Sequence, residues 1–460
     1  MMKRSSSLID RLILLVVFIS PFKDLFVCNI GIIDFKLPQL IWFGIFLLSL
    51  LEKLSKRHRV VPMADSKEIN NNLIFSLYIC ILLISCIYSI DINQSFKEFI
   101  QYLYLFIAMY IIYIKSKEKD FMDSVINAIV LSNAIIISIT LISVVLQRSI
   151  IPTVTVFSNG FVYINSELYS SQSLVETGDI IERINIMGMG PIGISFYIVL
   201  QSLLINYKIR ESRGRTRILL LFLLIANSVV IIMGYSRLGI ILFFGLNVLT
   251  LFGKDQVRNL GIILMTVFGV YICLSRFPDL FQRIMETFNT QEQSTRYHFV
   301  FWLIALETGY NNFLTGIGLG NMAFVSADQF GHLFNQFDLY RTNYVPTHNF
   351  LLQIWSEQGL GGLLINLLML AMPIVYYINA RHIRKTIPAK SKYYFMVLGF
   401  AGVIIYNLTN NSFYIEGFWE YAGLMYAMKY HLVREGKLLD GCRTIRSKQP
   451  ETGSFKSYQY

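Results

Sequence analysis

The chain is cut into about a dozen apolar runs of membrane-spanning length, joined by segments that carry most of its charge. The hydrocarbon core of a bilayer takes roughly 17–25 residues of helix. Within it every backbone N–H and C=O must be paired inside the protein, so such a chain folds as packed helices. The runs fall at about 8–27, 38–54, 72–90, 97–114, 121–146, 190–207, 218–234, 238–252, 259–275, 349–378, 393–410 and 414–430. Charged residues make up 15% of the chain, against about 25% in soluble proteins. Mean hydropathy is +0.53. The predicted fold class is an all-α integral membrane protein of about twelve transmembrane helices, with a large extracytoplasmic loop between the ninth and tenth.

The net charge is +11, but the basic residues sit in short clusters between apolar runs. That distribution indicates membrane orientation and argues against a nucleic-acid partner. With the N-terminus in the cytoplasm, thirty of the forty Lys and Arg fall in cytoplasmic segments, as the positive-inside bias requires. One missed span would invert part of this alternation, so its consistency supports the count and places both termini in the cytoplasm. Lys3 and Arg4 precede the apolar run Leu12 to Ser20, as in a signal peptide, but Pro21, Phe22 and Lys23 follow in place of a small-residue cleavage site. This segment reads as an uncleaved first span. Five cysteines show no metal or disulfide spacing, so neither a bound zinc nor a structural disulfide is expected.

The organisation follows from the spans. Residues 1–146 form an N-terminal transmembrane bundle of spans 1–5. Residues 147–189 form an extracytoplasmic loop, 190–275 hold spans 6–9, and 276–348 form the large extracytoplasmic loop. Residues 349–430 hold spans 10–12, and 431–460 form a basic cytoplasmic tail near anionic lipid. Long structured loops tend to carry function. In the larger one Ser294 is placed to cap a helix whose face carries Tyr297, Val300, Phe301, Ile304 and Ala305. Such a helix suits the outer membrane surface and would hold Arg296 at head-group level. The turn Gly316-Ile317-Gly318-Leu319-Gly320 follows. It is a weak match to a phosphate nest and reads as a place of close backbone approach.

Ten basic residues stand against the topological bias, and seven are arginines: Arg148, Arg183, Arg237, Arg276, Arg283, Arg296 and Arg341. A guanidinium offers a planar fork of donors that matches phosphate oxygens, where lysine is a point charge. These arginines are candidates for an anion site; singly, each also reads as a loop residue facing water. The most specific stretch is Pro346-Thr347-His348-Asn349, running on through Glu357 and Gly359 to Gly362. His348 stands where the large loop re-enters the membrane, and a neutral imidazole there can take a proton from a hydroxyl. Taken alone it would read as a helix-cap histidine. Glu357 lies well inside the span, where an acid costs a few kcal/mol unless paired. It reads as a fixed hydrogen-bonding group that pins neighbouring helices.

The run His348-Asn349, with Leu351 and Leu352, then Glu357, Gly359 and Gly362, resembles the hallmark of the O-antigen ligase / O-antigen polymerase family of bacterial membrane glycosyltransferases. Gly234-Tyr235-Ser236-Arg237 looks like the family's Ser-Arg element, and Arg296 with Trp302 like the arginine-to-tryptophan element of its periplasmic loop. Gly316 and Gly318 match the glycine pair before the His motif. Leu238 departs from the pattern, since a glycine is common there. The resemblance covers the C-terminal two-thirds; the first five spans match only in hydropathy.

The resemblance implies a metal-independent glycosyltransferase, with no cofactor, in the bacterial cytoplasmic membrane. Its donor would be an undecaprenyl-pyrophosphate-linked glycan, with a flippase and a chain-length regulator as pathway partners. His348, Arg237 and Arg296 would be catalytic. Arg341, Arg183, Arg276 and Asn349 would bind substrate, and Glu357, Gly316, Gly318 and Trp302 would support them. No Asp-x-Asp pair of the nucleotide-sugar type occurs in the chain. A polymerase, joining repeat units into a cell-surface polysaccharide, is the favoured activity. A ligase passing the finished chain to lipid A–core or another acceptor is the alternative. A secondary transporter of an anion or lipid-linked glycan is the rival from another class, though no repeated halves are visible.

Overall fold

The computed structural model describes residues 7–30, 33–55, 66–156, 162–165, 167–173, 180–184, 189–251, 256–276, 293–325, 329–340, 347–383, 391–410 and 412–447. Every apolar run predicted as a span falls on a helix. These are α1 (Leu8–Ile19), α2 (Leu37–Ser55), α3 (Ser66–Ile87), α4 (Ile92–Lys115), α5 (Lys119–Val145), α6 (Pro191–Glu211), α7 (Gly214–Met233), α8 (Arg237–Leu249) and α9 (Gln256–Arg276). In the loop region lie α10 (Gln293–Asn311) and the short α11 (Gly331–Gln336). Then come α12 (Phe350–Ile383), α13 (Lys392–Tyr406) and α14 (Glu416–Ser447). Among the described residues five helices, α4, α5, α6, α7 and α12, are long and apolar enough to cross a membrane by length and composition. α2, α3, α8, α9 and α13 contain shorter apolar stretches.

The first run departs from a single long span. α1 covers twelve residues and is followed by a 3-10 turn, Ser20–Leu25. Pro21 opens that turn, lacking the N–H an α-helix would need there. The chain is also not wholly helical. β1 (Phe26–Ile30) pairs antiparallel with β2 (Ile33–Lys36) and parallel with β3 (Thr153–Val156), which pairs with β4 (Val162–Asn165). A second hairpin joins β5 (Tyr169–Ser173) to β6 (Ile180–Ile184). Apolar and β-branched residues such as Val27, Val154, Val156 and Ile164 favour these strands. The periodicity was masked because each strand is only four or five residues long.

α6 is the most enclosed of the long apolar helices, packing between α7, α8 and α13. Polar residues on these buried faces pair with one another. Asn133 donates to Gln201 at 2.9 Å and exchanges bonds with Asn227, and Asn206 donates to Asn247 and to Thr250 at 2.7 Å. Such side-chain bonds hold helices together where apolar packing alone gains little over lipid. At the ends of α1 and α14, Lys23 pairs with the buried Glu416 at 3.2 Å, and Ser20 donates to Glu420 at 2.9 Å.

Within the loop region α10 packs on α12. The predicted face is the one it buries: Val300, Phe301, Ile304 and Ala305 join Phe330, Leu333 and Phe334 in a second apolar cluster, with Tyr297 packed against it. Ser294 lies within the first turn of α10 instead of at its cap.

Candidate functional site

α12 does not run straight through the bundle. Its backbone breaks at Gly359, with φ 66° and ψ −168°, a conformation open essentially to glycine alone. The break strips carbonyls and an N–H of their helical partners, which in a membrane costs several kcal/mol per group unless they are satisfied. The segment from Phe313 through the Gly316–Gly320 turn satisfies them. Ile317 N–H donates to Ser356 O and Gly318 N–H to Glu357 O, both at 2.9 Å, and Leu360 N–H donates to Phe313 O at 2.8 Å. A Cβ on Gly316 would overlap the backbone of Glu357. The close approach expected of this glycine run is therefore realised, and its partner is the break in α12.

The same turn is tied to the α3–α4 connection. Ile90 N–H donates to Ile317 O at 3.1 Å, and Ser95 Oγ to Leu319 O at 2.8 Å. Asn321 uses its whole amide: Nδ2 lies within hydrogen-bond reach of Ser89 Oγ, Ser95 Oγ and Leu319 O, and Oδ1 accepts from Asp91 N–H at 3.0 Å. Glu357 is buried. Its Oε1 accepts from Gln353 Nε2 at 3.1 Å and Met322 N–H at 3.4 Å, and Gln353 also donates to Tyr414 OH at 3.0 Å.

His348 sits at the mouth of α12, half-buried and in the left-handed region at φ 48°. Its neighbours hold it there. Asn349 caps α12, its Oδ1 accepting from Leu351 N–H at 3.0 Å and Leu352 N–H at 3.1 Å. Phe350 N–H donates to Asn407 O at 3.1 Å. Asn349, expected at the substrate, thus spends its carbonyl oxygen on the helix end. The imidazole of His348 lies 4.7 Å, ring centre to centre, from that of His298 and 6.1 Å from Phe301, both on α10. Burial holds its pKa below the ordinary imidazole value, so the ring is a neutral acceptor at neutral pH.

Arg296 is carried by the same helix and donates to Phe337 O at 3.2 Å. Trp302 lies 6.4 Å from His298. Arg237 is the first residue of α8, whose cap Ser236 accepts from Gly239 N–H at 3.4 Å. Ser236 lies 3.3 Å from Tyr406 OH, and Tyr406 is followed by Asn407, the partner of Phe350. The Ser-Arg element and the His-Asn element are therefore linked through the end of α13. A helix N-terminus bearing an arginine is a favourable place for an anion.

Among the described residues four non-glycines have positive φ: Gln147, Tyr235, Asp338 and His348. Tyr235 lies two residues before Arg237, Asp338 follows the carbonyl that binds Arg296, and His348 is itself a candidate. Strained backbone of this kind gathers at functional sites. Of the other expected residues, Arg183 lies in β6 opposite Ser170, and Arg276 ends α9. Arg341 lies outside the described residues. Sequence reasoning missed His298, Asn321, Gln353 and Tyr414. The only signal for His298 was its place two residues after Arg296 on a helix already expected.

No curated protein matches the chain. Residues 219–367, about a third of its length, match the model of the family described as O-antigen ligase. The matched stretch takes in Arg237, Arg296, the glycine turn, His348 and the Gly359 break, so the resemblance read from the motifs is borne out: over residues 219–367 the chain is similar to the O-antigen ligase family.

Proposed function

We propose that the protein is a polymerase-type glycosyltransferase of the bacterial cytoplasmic membrane, joining polyprenyl-pyrophosphate-linked oligosaccharides into a surface polysaccharide. The observation that carries this reading is the seating of His348 against α10, the helix that bears Arg296. His348 acts as general base on the acceptor hydroxyl. Arg237 and Arg296 meet the pyrophosphate as negative charge develops on it, each with two donors in one plane. Arg341, Arg183 and Arg276 are further candidates for the anion. The donor arrives activated, so the chemistry asks for a base and positive charge and proceeds without a metal.

The region's similarity to O-antigen ligases supports glycan handling at the membrane in general. Reconstitution with a single lipid-linked oligosaccharide tests the finer reading. Lipid-linked products longer than one repeat are the expected result. Transfer only when lipid A–core is added would make the protein a ligase, and uptake into vesicles without any glycan product would make it a transporter.

A further inference from the structure

We propose that His298 is a positioning residue of this site, and that the His298 and His348 rings hold a single proton between them while the acceptor hydroxyl is deprotonated. The inference rests on the transferase reading given above.

The geometry that motivates it is local. The two rings are 4.7 Å apart, tilted by 51°. Phe301, one turn further along α10, closes on His348 at 6.1 Å, and Trp302 flanks His298 at 6.4 Å. The two contacts to His348 tie the mouth of α12 to α10. Because His348 adopts φ 48°, its ring direction is not that of an ordinary helix residue, and packing against α10 has to set it. His298 therefore fixes the plane of the base relative to the helix that carries Arg296.

The electrostatics follow from the same contact. Two imidazolium ions with ring centres 4.7 Å apart repel, so the pair takes up a first proton, and the second only at much lower pH. The other charged and titratable groups described on the packed elements are Arg296, Tyr297, Glu307, His332, Asp338 and Glu357. Arg296 binds Phe337 O, Tyr297 OH donates to Tyr340 O, and Glu357 is held by Gln353 and Met322. His332 on α11, Glu307 on α10 and Asp338, where the chain leaves α11, are exposed. In the transfer step a bond forms between the acceptor oxygen and the anomeric carbon. The bond from that carbon to the pyrophosphate oxygen breaks, and its electron pair leaves on the pyrophosphate. The hydroxyl proton passes to His348, is shared with His298 and is then released to water.

Two measurements test this. The first follows the full protein in lipid nanodiscs with 15N-labelled histidine, the two signals assigned by single substitutions. Both rings are expected to move in one step at a common midpoint, and the His348 midpoint to shift in His298→Phe. Two separate steps, each unchanged when the other ring is replaced, would overturn the shared proton. The second measures transfer of the lipid-linked oligosaccharide that accumulates in cells lacking the protein. His298→Phe keeps a ring and His298→Asn keeps a polar group. Both are expected to lower kcat about tenfold with KM little changed, and His298→Phe to displace the acid limb of the pH profile.

If His348→Ala is inactive but both His298 variants match the wild type in kcat and acid limb, this inference fails alone. If His348→Ala is fully active, the transferase reading and the catalytic half of this proposal fall together. Should neither His298 variant insert, the titration of the unaltered protein still decides the shared proton.

Discussion

Gly359 and Leu314 meet backbone to backbone: a Cβ on Gly359 would overlap the carbonyl group of Leu314. The break in α12 and the glycine turn that fills it are thus one feature, built from segments some forty residues apart. That feature ties α12 to the segment that follows α10, the helix carrying Arg296.

Gly359→Ala is expected to destabilise the protein by at least the roughly 1–3 kcal/mol cost of a non-glycine in that conformation, with the overlap added. Gly361, whose nearest neighbour for an added Cβ is Ile81 at 3.8 Å, is the control. Thermal unfolding in detergent should show a clear loss for Gly359→Ala and near-native behaviour for Gly361→Ala. Equal effects would mean that the break is not structurally required.

His348→Ala should abolish transfer while leaving membrane insertion intact. Burial lowers the pKa of this imidazole in the folded protein, so the neutral, base-competent form persists below the ordinary value of about 6.5. kcat/KM should rise with pH through a midpoint below that value and be level by neutrality. The same shift means that stability declines as pH falls from the unfolded value of the imidazole down through the folded one. An acid limb above pH 7 would show that another group controls the rate.

Arg237→Lys and Arg296→Lys keep the charge and lose the fork. Charge-assisted hydrogen bonds contribute about 1.5–3 kcal/mol, so each substitution should slow transfer by roughly ten- to a hundredfold. Rates of product formation with the lipid-linked donor measure this, and wild-type rates in both would reduce the arginines to packing or topology.

Asn349→Ala removes the cap of α12 and should cost about 1 kcal/mol of stability. Asn349→Asp preserves the capping oxygen and should restore the melting temperature. If Asn349→Asp still binds donor less tightly, the amide also serves the substrate, since a new carboxylate would repel the pyrophosphate. Donor affinity in the two variants separates the roles.

Lys23→Met leaves the Glu416 carboxylate buried without its cation. Breaking one side of a buried ion pair costs about 3–5 kcal/mol. Adding Glu416→Gln should recover much of that loss in thermal unfolding. No recovery would indicate that Lys23 acts through its bond to Tyr414 O.

Much of the architecture was legible in the chain itself. Apolar runs of spanning length and the placement of Lys and Arg are local properties, and hydrophobic transfer acts on each segment separately, so every expected span falls on a helix. The apolar face of α10 was readable for the same reason, since helical spacing brings Val300, Phe301, Ile304 and Ala305 to one side. The strands β1 to β4 were not, because a four-residue strand between helices has too short a period to register.

What only the tertiary structure decided is which distant groups meet. Gly316 and Gly359 each announce an unusual backbone, but neither names its partner. The pairing depends on hydrogen bonds between Ile317, Gly318, Ser356 and Glu357 that exist only once the turn lies against the break. His298 is an ordinary helix residue until α10 packs on α12, and Asn321 an ordinary loop amide until the α3–α4 connection closes on it. Segment-by-segment transfer into the membrane fixes where helices form, whereas satisfying buried polar groups selects how they pack.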